Sequence, residues 1–209
     1  MLSVRHLAQA ERRSFAALLR ELNDDEWQAP SLCAGWTVRD VVAHSLSFDD
    51  LTWQELLSRF GRARLSLAEV NAAGIADYSR WEPDQLITRM ERCADPRGLT
   101  TAFGCRIALL DAMVHQQDIR RPLGRPRLVP EERLIPAVSF ARFAPPIGAH
   151  HRVVGLRFTA TDVPWRRGVG PEVRGHAEAI MMAIAGRACV IDELRGPGVS
   201  VLRRRGFVD

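Results

Sequence analysis

Asp111-Ala-Met-Val-His-Gln-Gln-Asp118 is the segment that decides the predicted fold of this 209-residue chain. On an α-helix, residues at positions i, i+4 and i+7 share a face, so Asp111, His115 and Asp118 would project together. A carboxylate and an imidazole one turn apart can bind the same metal ion, because both offer lone pairs to one point. The segment therefore predicts a helix that supplies two ligands to a metal site.

A third ligand must come from another part of the chain, and His44 is the candidate. It ends the segment Thr37-Val-Arg-Asp-Val-Val-Ala-His44, in which Thr37 is a good helix N-cap and Asp40 follows three residues later, close to a capping box. We expect this helix to run to about Phe60. Three nitrogen and oxygen ligands on two packed helices would leave one coordination position open, the arrangement of a catalytic zinc site.

Each of these residues also has a simpler interpretation. Considered alone, His44 is more often a hydrogen-bonded core histidine than a ligand, and Asp111 can form a surface helix pair with His115. A buried helix with two acids and a histidine on one face is harder to explain in that way, because unpaired buried carboxylates are costly. The residues alone leave both the structural and the metal-binding interpretation open.

The composition is ordinary for a globular protein, with 46% hydrophobic and 26% charged residues. No apolar run approaches the roughly 18 residues that cross a membrane. The first residues, Met1-Leu-Ser-Val-Arg-His6, lack the apolar core of a signal peptide. We therefore expect a cytoplasmic protein.

The basic residues exclude several kinds of chemistry. All 29 are arginine, and the absence of lysine rules out Schiff-base catalysis, pyridoxal phosphate attachment and a P-loop lysine. The net charge of +4 is modest, and arginines are mixed with acids except at Arg203-Arg204-Arg205, which we interpret as a solvated tail. No nucleic-acid partner is predicted. Motifs of dinucleotide-binding proteins, H-E-x-x-H metalloproteases and G-x-S-x-G hydrolases are also missing.

The four cysteines, Cys33, Cys93, Cys105 and Cys189, are far apart and form no C-x-x-C pair. This spacing argues against a zinc knuckle or a disulfide framework and favours free thiols in a reducing compartment. Cys105 lies in an apolar helical stretch and is interpreted as core packing. Cys33 precedes a helix, where a thiol can be activated, but a catalytic role is the less favoured interpretation.

Apolar periodicity divides the chain into a helical part and a mixed part. Helices are predicted at residues 4–22, from Thr37, from Pro83 or Asp84 to Cys93, from Thr100 or Thr101 to Arg120, and at 131–143. Ala144-Pro-Pro-Ile-Gly148 should break the chain; a strand follows at 153–160, then short strands and a helix at 176–184. We expect a helical bundle at residues 1–147, including the linker helix 131–143, and a small α+β domain at 148–209.

Several segments resemble the DinB-like, mycothiol-dependent maleylpyruvate isomerase family of actinobacteria. The stretch Pro30-Ser-Leu-Cys-Ala-Gly-Trp-Thr-Val-Arg-Asp-Val-Val-Ala-His44 is similar to the family's helix 2 motif. Asp111 to Gly124 is similar to its second metal motif, and Gly170-Pro-Glu-Val-Arg-Gly175, with the glycine-rich segments that follow, resembles its small C-terminal domain. The resemblance covers nearly the whole chain.

The resemblance implies a mainly α fold, a DinB-like four-helix bundle followed by the small α+β domain. It also implies a divalent metal, usually zinc, held by His44, Asp111 and His115. This chain has aspartate at 111 where the isomerase type has glutamate, so the reach of the shorter side chain is in question. Asp118 can bind the metal directly or orient a ligand, and Asp40 is a second candidate for such an orienting role.

The same resemblance implies a thiol-dependent reaction. A thiol on the open zinc position loses its proton at neutral pH, and the thiolate of mycothiol can then add to a small electrophile. The expected activity is that of a thiol transferase or isomerase. Arg120 and Arg121 are candidates for holding a substrate carboxylate, although solvated charges at a helix end explain them equally well.

Two other function classes are kept as alternatives. One is a metal-dependent hydrolase of thiol conjugates or amides, which uses zinc-bound water and needs no added thiol. The other is a non-enzymatic DinB-like binding or regulatory protein, since a fold does not settle function. A homodimer is plausible for the helical part.

Overall fold

The computed structural model describes residues 2–49, 51–64, 66–144 and 147–206, with the backbone alone at Trp53. The chain forms two compact units, Met1–Pro126 and Arg127–Asp209. None of the described helices is both long and apolar enough to cross a membrane.

The first unit is helical. Its elements are α1 (Val4–Arg20), α2 (Asp24–Gln28), α3 (Val38–Leu46), α4 (Trp53–Arg62), α5 (Leu67–Asp77), α6 (Pro83–Arg92), a 3₁₀ turn at Gly98–Thr101 and α7 (Ala102–Arg120). Helices α1 and α3 each pack against both α6 and α7, which closes a four-helix bundle. Helix α5 lies outside this bundle, against α3.

Apolar residues at helical spacing form the core of the bundle. Fully buried side chains include Phe15, Leu18 and Leu19 of α1 and Leu86 and Met90 of α6. Burying each such side chain stabilises the fold by about 1.5–3 kcal/mol. The spacing of these residues is what predicted both helices, and both are confirmed within two residues of the expected ends.

Local capping signals set the ends of α3 and α4. The Thr37 side chain accepts from the Asp40 N–H while the Asp40 side chain accepts from the Thr37 N–H, which confirms the predicted start of α3. The expected extension to Phe60 is wrong, because α3 ends at Leu46. Thr52 caps a new helix through a capping box with Glu55. The apolar pattern alone did not predict this second start.

Helix α7 begins with an irregular turn rather than with a simple cap. Phe103, Gly104 and Cys105 have φ of 53°, 64° and 65°, in the left-handed region, so regular helix starts only after them. Non-glycine residues rarely adopt this conformation. Thr101, one of the two predicted caps, is the N-cap residue of α7, but its side chain makes no capping hydrogen bond. Cys105 is buried, as expected for a packing residue.

The second unit combines a small sheet with short helices. Its elements are α8 (Glu131–Ala141), α9 (His150–Val153), β1 (Arg157–Ala160), β2 (Arg166–Gly168), β3 (Glu172–Gly175), α10 (Ala177–Ile184), a 3₁₀ segment at Ala188–Glu193 and α11 (Gly198–Arg203). The strand order is β2-β1-β3, with β1 antiparallel to β2 and parallel to β3. The predicted strand at 153–160 is thus shortened at its start by α9.

The observed division of the chain differs from the boundary expected at 147/148. Helix α8 packs against α10 of the second unit, where Leu134, Ala137 and Val138 are buried. The division of the chain into compact units therefore falls between Pro126 and Arg127. The break predicted at Pro145-Pro146 lies outside the described residues.

A buried ion pair joins α1 to the segment after α3. Arg12 and Asp49 are only 3% and 2% exposed, and two hydrogen bonds link the guanidinium to the carboxylate, with Nη1 2.8 Å from Oδ1. The Thr100 hydroxyl donates to the same Oδ1 at 3.0 Å. Two buried charges are tolerated only because each satisfies the other.

Replacing Arg12 by methionine should therefore destabilise the protein by about 3–5 kcal/mol, since Asp49 would be left as an uncompensated buried charge. The measurement is the free energy of unfolding by urea. Arg5→Met is the matched control on the same helix, because Arg5 pairs with Asp95 at the exposed surface, and its midpoint should stay close to that of the wild type. Equal effects of the two substitutions would contradict this account.

Candidate metal centre

The structure brings His44, Asp111 and His115 together inside the first unit. His44 lies in the last turn of α3, and Asp111 and His115 lie one turn apart on α7, which packs against α3. One ligand atom from each of the three side chains lies within 4.8 Å of the others. The short side chain of Asp111 therefore reaches the same point as the two imidazoles.

The spacing of these groups matches tetrahedral zinc coordination. The Nε2 atom of His115 is 3.4 Å from Oδ1 of Asp111, and the His44 and His115 ring centroids are 5.0 Å apart with an interplanar angle of 83°. With Zn–N and Zn–O distances of about 2.0–2.2 Å, tetrahedral ligand atoms are separated by about 3.3 Å and the two ring centroids by about 5 Å. The side chains thus fit a zinc ion.

Aromatic side chains fix the ring of His44. Trp36 lies 4.9 Å from it, tilted by 49°, and Phe48 lies 5.4 Å away in an edge-to-face arrangement, both measured between ring centroids. The Nδ1 atom of His44 is buried. These contacts restrict rotation of the imidazole and limit water on that side of the site.

The second nitrogen of His115 has a strong partner. Nδ1 is 2.9 Å from Oδ2 of Asp118, whose side chain is completely buried. The short contact favours Nδ1–H as a donor to the carboxylate, so a metal ion would replace the proton of Nε2, on the side of Asp111. Such a carboxylate partner orients metal-binding histidines in many proteins. Asp118 therefore acts on the far side of the ring from Asp111.

Cys33 extends this chain of contacts. Its Sγ donates to Oδ2 of Asp118 at 3.3 Å, and the neighbouring Leu32 N–H donates to the Asp118 carbonyl at 3.0 Å. A tight loop holds the thiol there, since the Ser31 N–H donates to the Trp36 carbonyl and the Trp36 N–H to the Cys33 carbonyl. The loop before α3 is thereby tied to the metal-site face of α7.

The charges of the centre depend on one another. Burial alone would lower the pKa of His115, but the carboxylates of Asp111 and Asp118 outweigh it and raise that pKa well above 6.5. Burial would raise the pKa of Asp111, and the imidazoles of His115 and His44, with the guanidinium of Arg12, lower it instead. The two carboxylates that stabilise a proton on His115 would also stabilise a metal cation beside the ring, in competition with that proton.

The remaining predicted residues occupy other positions. Asp40 is engaged in the N-cap of α3, where its Oδ2 accepts from the N–H and the hydroxyl of Thr37 at 2.9 and 2.8 Å. Arg120 ends α7 and donates to Gln116 Oε1 at 3.4 Å, while Arg121 is the C-cap residue of that helix. Their roles in orienting ligands or binding substrate stay predictions.

Sequence reasoning gave Cys33 too little weight. It noted the position of the thiol before a helix but had no means to pair it with Asp118, because 84 residues of chain lie between them. The available signal was its place inside the Pro30–His44 segment, which ends in the candidate ligand His44. A side chain within this segment is a candidate for contact with the segment that carries Asp111 and His115.

Two solved structures resemble the chain over almost its full length. A crystal structure of the mycothiol-dependent maleylpyruvate isomerase has a TM-score of 0.54 at 15% identity and covers 94% of this chain and 96% of its own. A histidine-to-alanine mutant of that enzyme has a TM-score of 0.56, with the same identity and coverage. At this identity the likeness establishes the fold, which is mainly α and DinB-like, with a small C-terminal domain. No curated protein sequence matches the chain.

A family model matches part of the first unit. Residues 8–97 match the model described as the mycothiol maleylpyruvate isomerase N-terminal domain. The resemblance predicted from the sequence is thereby confirmed. The match includes His44 but ends before Asp111 and His115, so the case for these two residues as candidate ligands rests on the geometry of α7.

The raised pKa of His115 predicts how pH acts on the metal-free protein. A group that binds a proton more tightly when folded stabilises the fold fully at low pH, and this contribution is lost as pH rises through the folded pKa. We therefore expect the free energy of unfolding, measured with a chelator present, to fall as pH rises above 6.5. His115→Gln should lack this component, and parallel profiles for the two proteins would contradict the assignment.

The Asp118 contact predicts a second result. Asp118→Asn should weaken zinc binding by about 10–100-fold, because the ring of His115 loses the carboxylate that orients it. Isothermal titration calorimetry with zinc gives the dissociation constant. Asp95→Asn is the matched control, because Asp95 pairs with Arg5 at the exposed surface, and this variant should bind zinc as the wild type does. Equal losses of affinity in both variants would refute the distinct role of Asp118.

Proposed function

We propose that the protein is a zinc-dependent thiol transferase or isomerase, which uses a low-molecular-weight thiol such as mycothiol on a small electrophilic substrate. The observation that supports this most strongly is the convergence of His44, Asp111 and His115 on one point at the spacing of zinc ligands. The domain family of residues 8–97 supports the thiol, since the matching model is named for mycothiol and maleylpyruvate isomerase.

The donor set suits zinc and leaves room for a substrate. Two imidazoles and one carboxylate are ligands of the kind found in catalytic zinc sites, which keep one position open. A zinc ion held there supplies a positive charge that stabilises a thiolate at neutral pH. One carboxylate against two neutral imidazoles leaves the centre with net positive charge, which favours an anionic fourth ligand.

The protein's own residues orient the candidate metal-binding side chains before that ligand arrives. Asp118 accepts the Nδ1–H of His115 and holds the Nε2 lone pair towards the cation. Trp36 and Phe48 keep the ring of His44 in one orientation. Because these supports are in place before a substrate arrives, little reorganisation accompanies binding.

The electrophile is proposed to be small and acidic. Arg120 and Arg121, at the end of α7, are the residues that we propose for its carboxylate, since a guanidinium binds a carboxylate through two parallel hydrogen bonds. Arg120 already contacts Gln116 and the Arg125 carbonyl, so it is held near the end of the helix that carries the ligands.

The metal requirement is tested with His44→Ala. The wild type should contain about one zinc per chain, as expected for one site with three protein ligands, and His44→Ala should contain none while remaining folded. The measurement is metal content by mass spectrometry, together with circular dichroism. His150→Ala is the matched control, because His150 is exposed and lies in the second unit.

The thiol requirement separates the proposed reaction from its alternatives. Zinc-loaded wild type should consume maleylpyruvate or a related unsaturated acid only when mycothiol is present, and His44→Ala should be inactive. Turnover without thiol would identify a hydrolase instead. A protein that takes up no zinc at all would contradict the proposal and leave a binding role for the bundle.

A further inference from the structure

A second group of metal-binding side chains surrounds the other nitrogen of His115. One ligand atom each from Cys33, His115 and Asp118 lies within 4.8 Å of the others. Asp118 is completely buried and His115 is 8% exposed, while Cys33 is half-buried and gives access from solvent. Thiol, imidazole and carboxylate are three different donor types that meet inside one unit.

We propose that Cys33, His115 Nδ1 and Asp118 form a second metal-binding site, selective for a soft divalent cation such as Cd²⁺. The thiolate gives this selectivity, because soft cations prefer sulfur ligands, whereas the group formed by His44, Asp111 and His115 offers nitrogen and oxygen alone. The two sites lie on opposite edges of a single imidazole ring.

The distances show that only a small movement is needed. Asp118 Oδ2 is 2.9 Å from His115 Nδ1 and 3.3 Å from Cys33 Sγ. Around a tetrahedral ion of zinc size the corresponding separations are about 3.3–3.6 Å, and they are somewhat larger for cadmium. The two contacts of Asp118 would therefore lengthen by a few tenths of an ångström as hydrogen bonds are replaced by bonds to the metal.

Metal binding at this site also displaces protons from the ligand atoms. Coordination releases the Cys33 thiol proton and the proton of His115 Nδ1 to solvent, and the imidazole keeps its remaining proton on Nε2. A neutral imidazole then has no lone pair for the site of His44 and Asp111, so an ion at Cys33 and an ion at His44 exclude one another. A soft cation at Cys33 would thus inhibit the proposed enzyme, because it binds His115 through Nδ1 and prevents Nε2 from binding the zinc ion.

This proposal uses one residue of the proposed zinc centre but does not depend on that centre being catalytic. The test is a titration of the metal-free, full-length protein with Cd²⁺, followed by the sulfur-to-cadmium charge-transfer absorption in the ultraviolet. All proteins carry Cys189→Ser, which removes the exposed thiol, while Cys93 and Cys105 are buried.

The band should appear at one cadmium per chain in this background and should be lost in Cys33→Ser. The band should persist in His44→Ala, because His44 belongs only to the group with Asp111 and His115. This variant therefore shows whether the cadmium site is absent independently of whether the proposed zinc centre is absent. Cadmium NMR of the Cys189→Ser protein with Cys33 intact should give a chemical shift that reports one thiolate ligand, and a folding defect of another variant cannot affect this measurement.

A band that survives Cys33→Ser, or that vanishes with His44→Ala, would overturn the proposal. A cadmium chemical shift typical of nitrogen and oxygen ligands alone would do the same. In those cases Cys33 would serve only as a hydrogen-bond donor to Asp118.

Discussion

The imidazole of His115 is held at both of its nitrogens, and the arrangement of the metal centre depends on this. Nδ1 faces a buried carboxylate at 2.9 Å, and Nε2 faces the carboxylate of Asp111 at 3.4 Å. A largely buried ring between two acids favours positive charge, either as its own proton or as a metal ion on one edge. The structure thus contains a place for a cation whose position is set by the bundle.

The bundle supplies this place through the contacts of α7. One face of α7 carries Asp111, His115 and Asp118, and α3 brings His44 to that face. Next to the centre, the buried pair of Arg12 and Asp49 joins α1 to the segment that follows α3, and Arg12 adds positive potential near Asp111. Scaffold and site are therefore electrostatically linked, since the same buried arginine serves both.

Local signals made much of this predictable from the sequence. The period of apolar residues gave α1 and α6, the Thr37 cap gave the start of α3, and the spacing of Asp111 and His115 placed them on one face. Each of these features is decided within a few residues of chain, where propensity and periodicity act.

Features that depend on distant contacts were not predictable. Nothing near Cys33 in the sequence indicates that Asp118 lies 3.3 Å from its sulfur. Helix α8 has an ordinary amphipathic pattern, and only its packing against α10 places it in the second unit. The left-handed turn at Phe103–Cys105 runs against the preference of its own residues, so it must be maintained by its surroundings.

The central claim is that His44, Asp111 and His115 hold one metal ion through Nε2 of His115. Anomalous diffraction at the zinc absorption edge, from crystals of the zinc-loaded protein, tests it most directly. The account predicts one strong peak about 2.0–2.2 Å from His115 Nε2 and from a ligand atom of each of the other two residues, with Nδ1 still in contact with Asp118. No peak between α3 and α7, or zinc bound through Nδ1 instead, would contradict it.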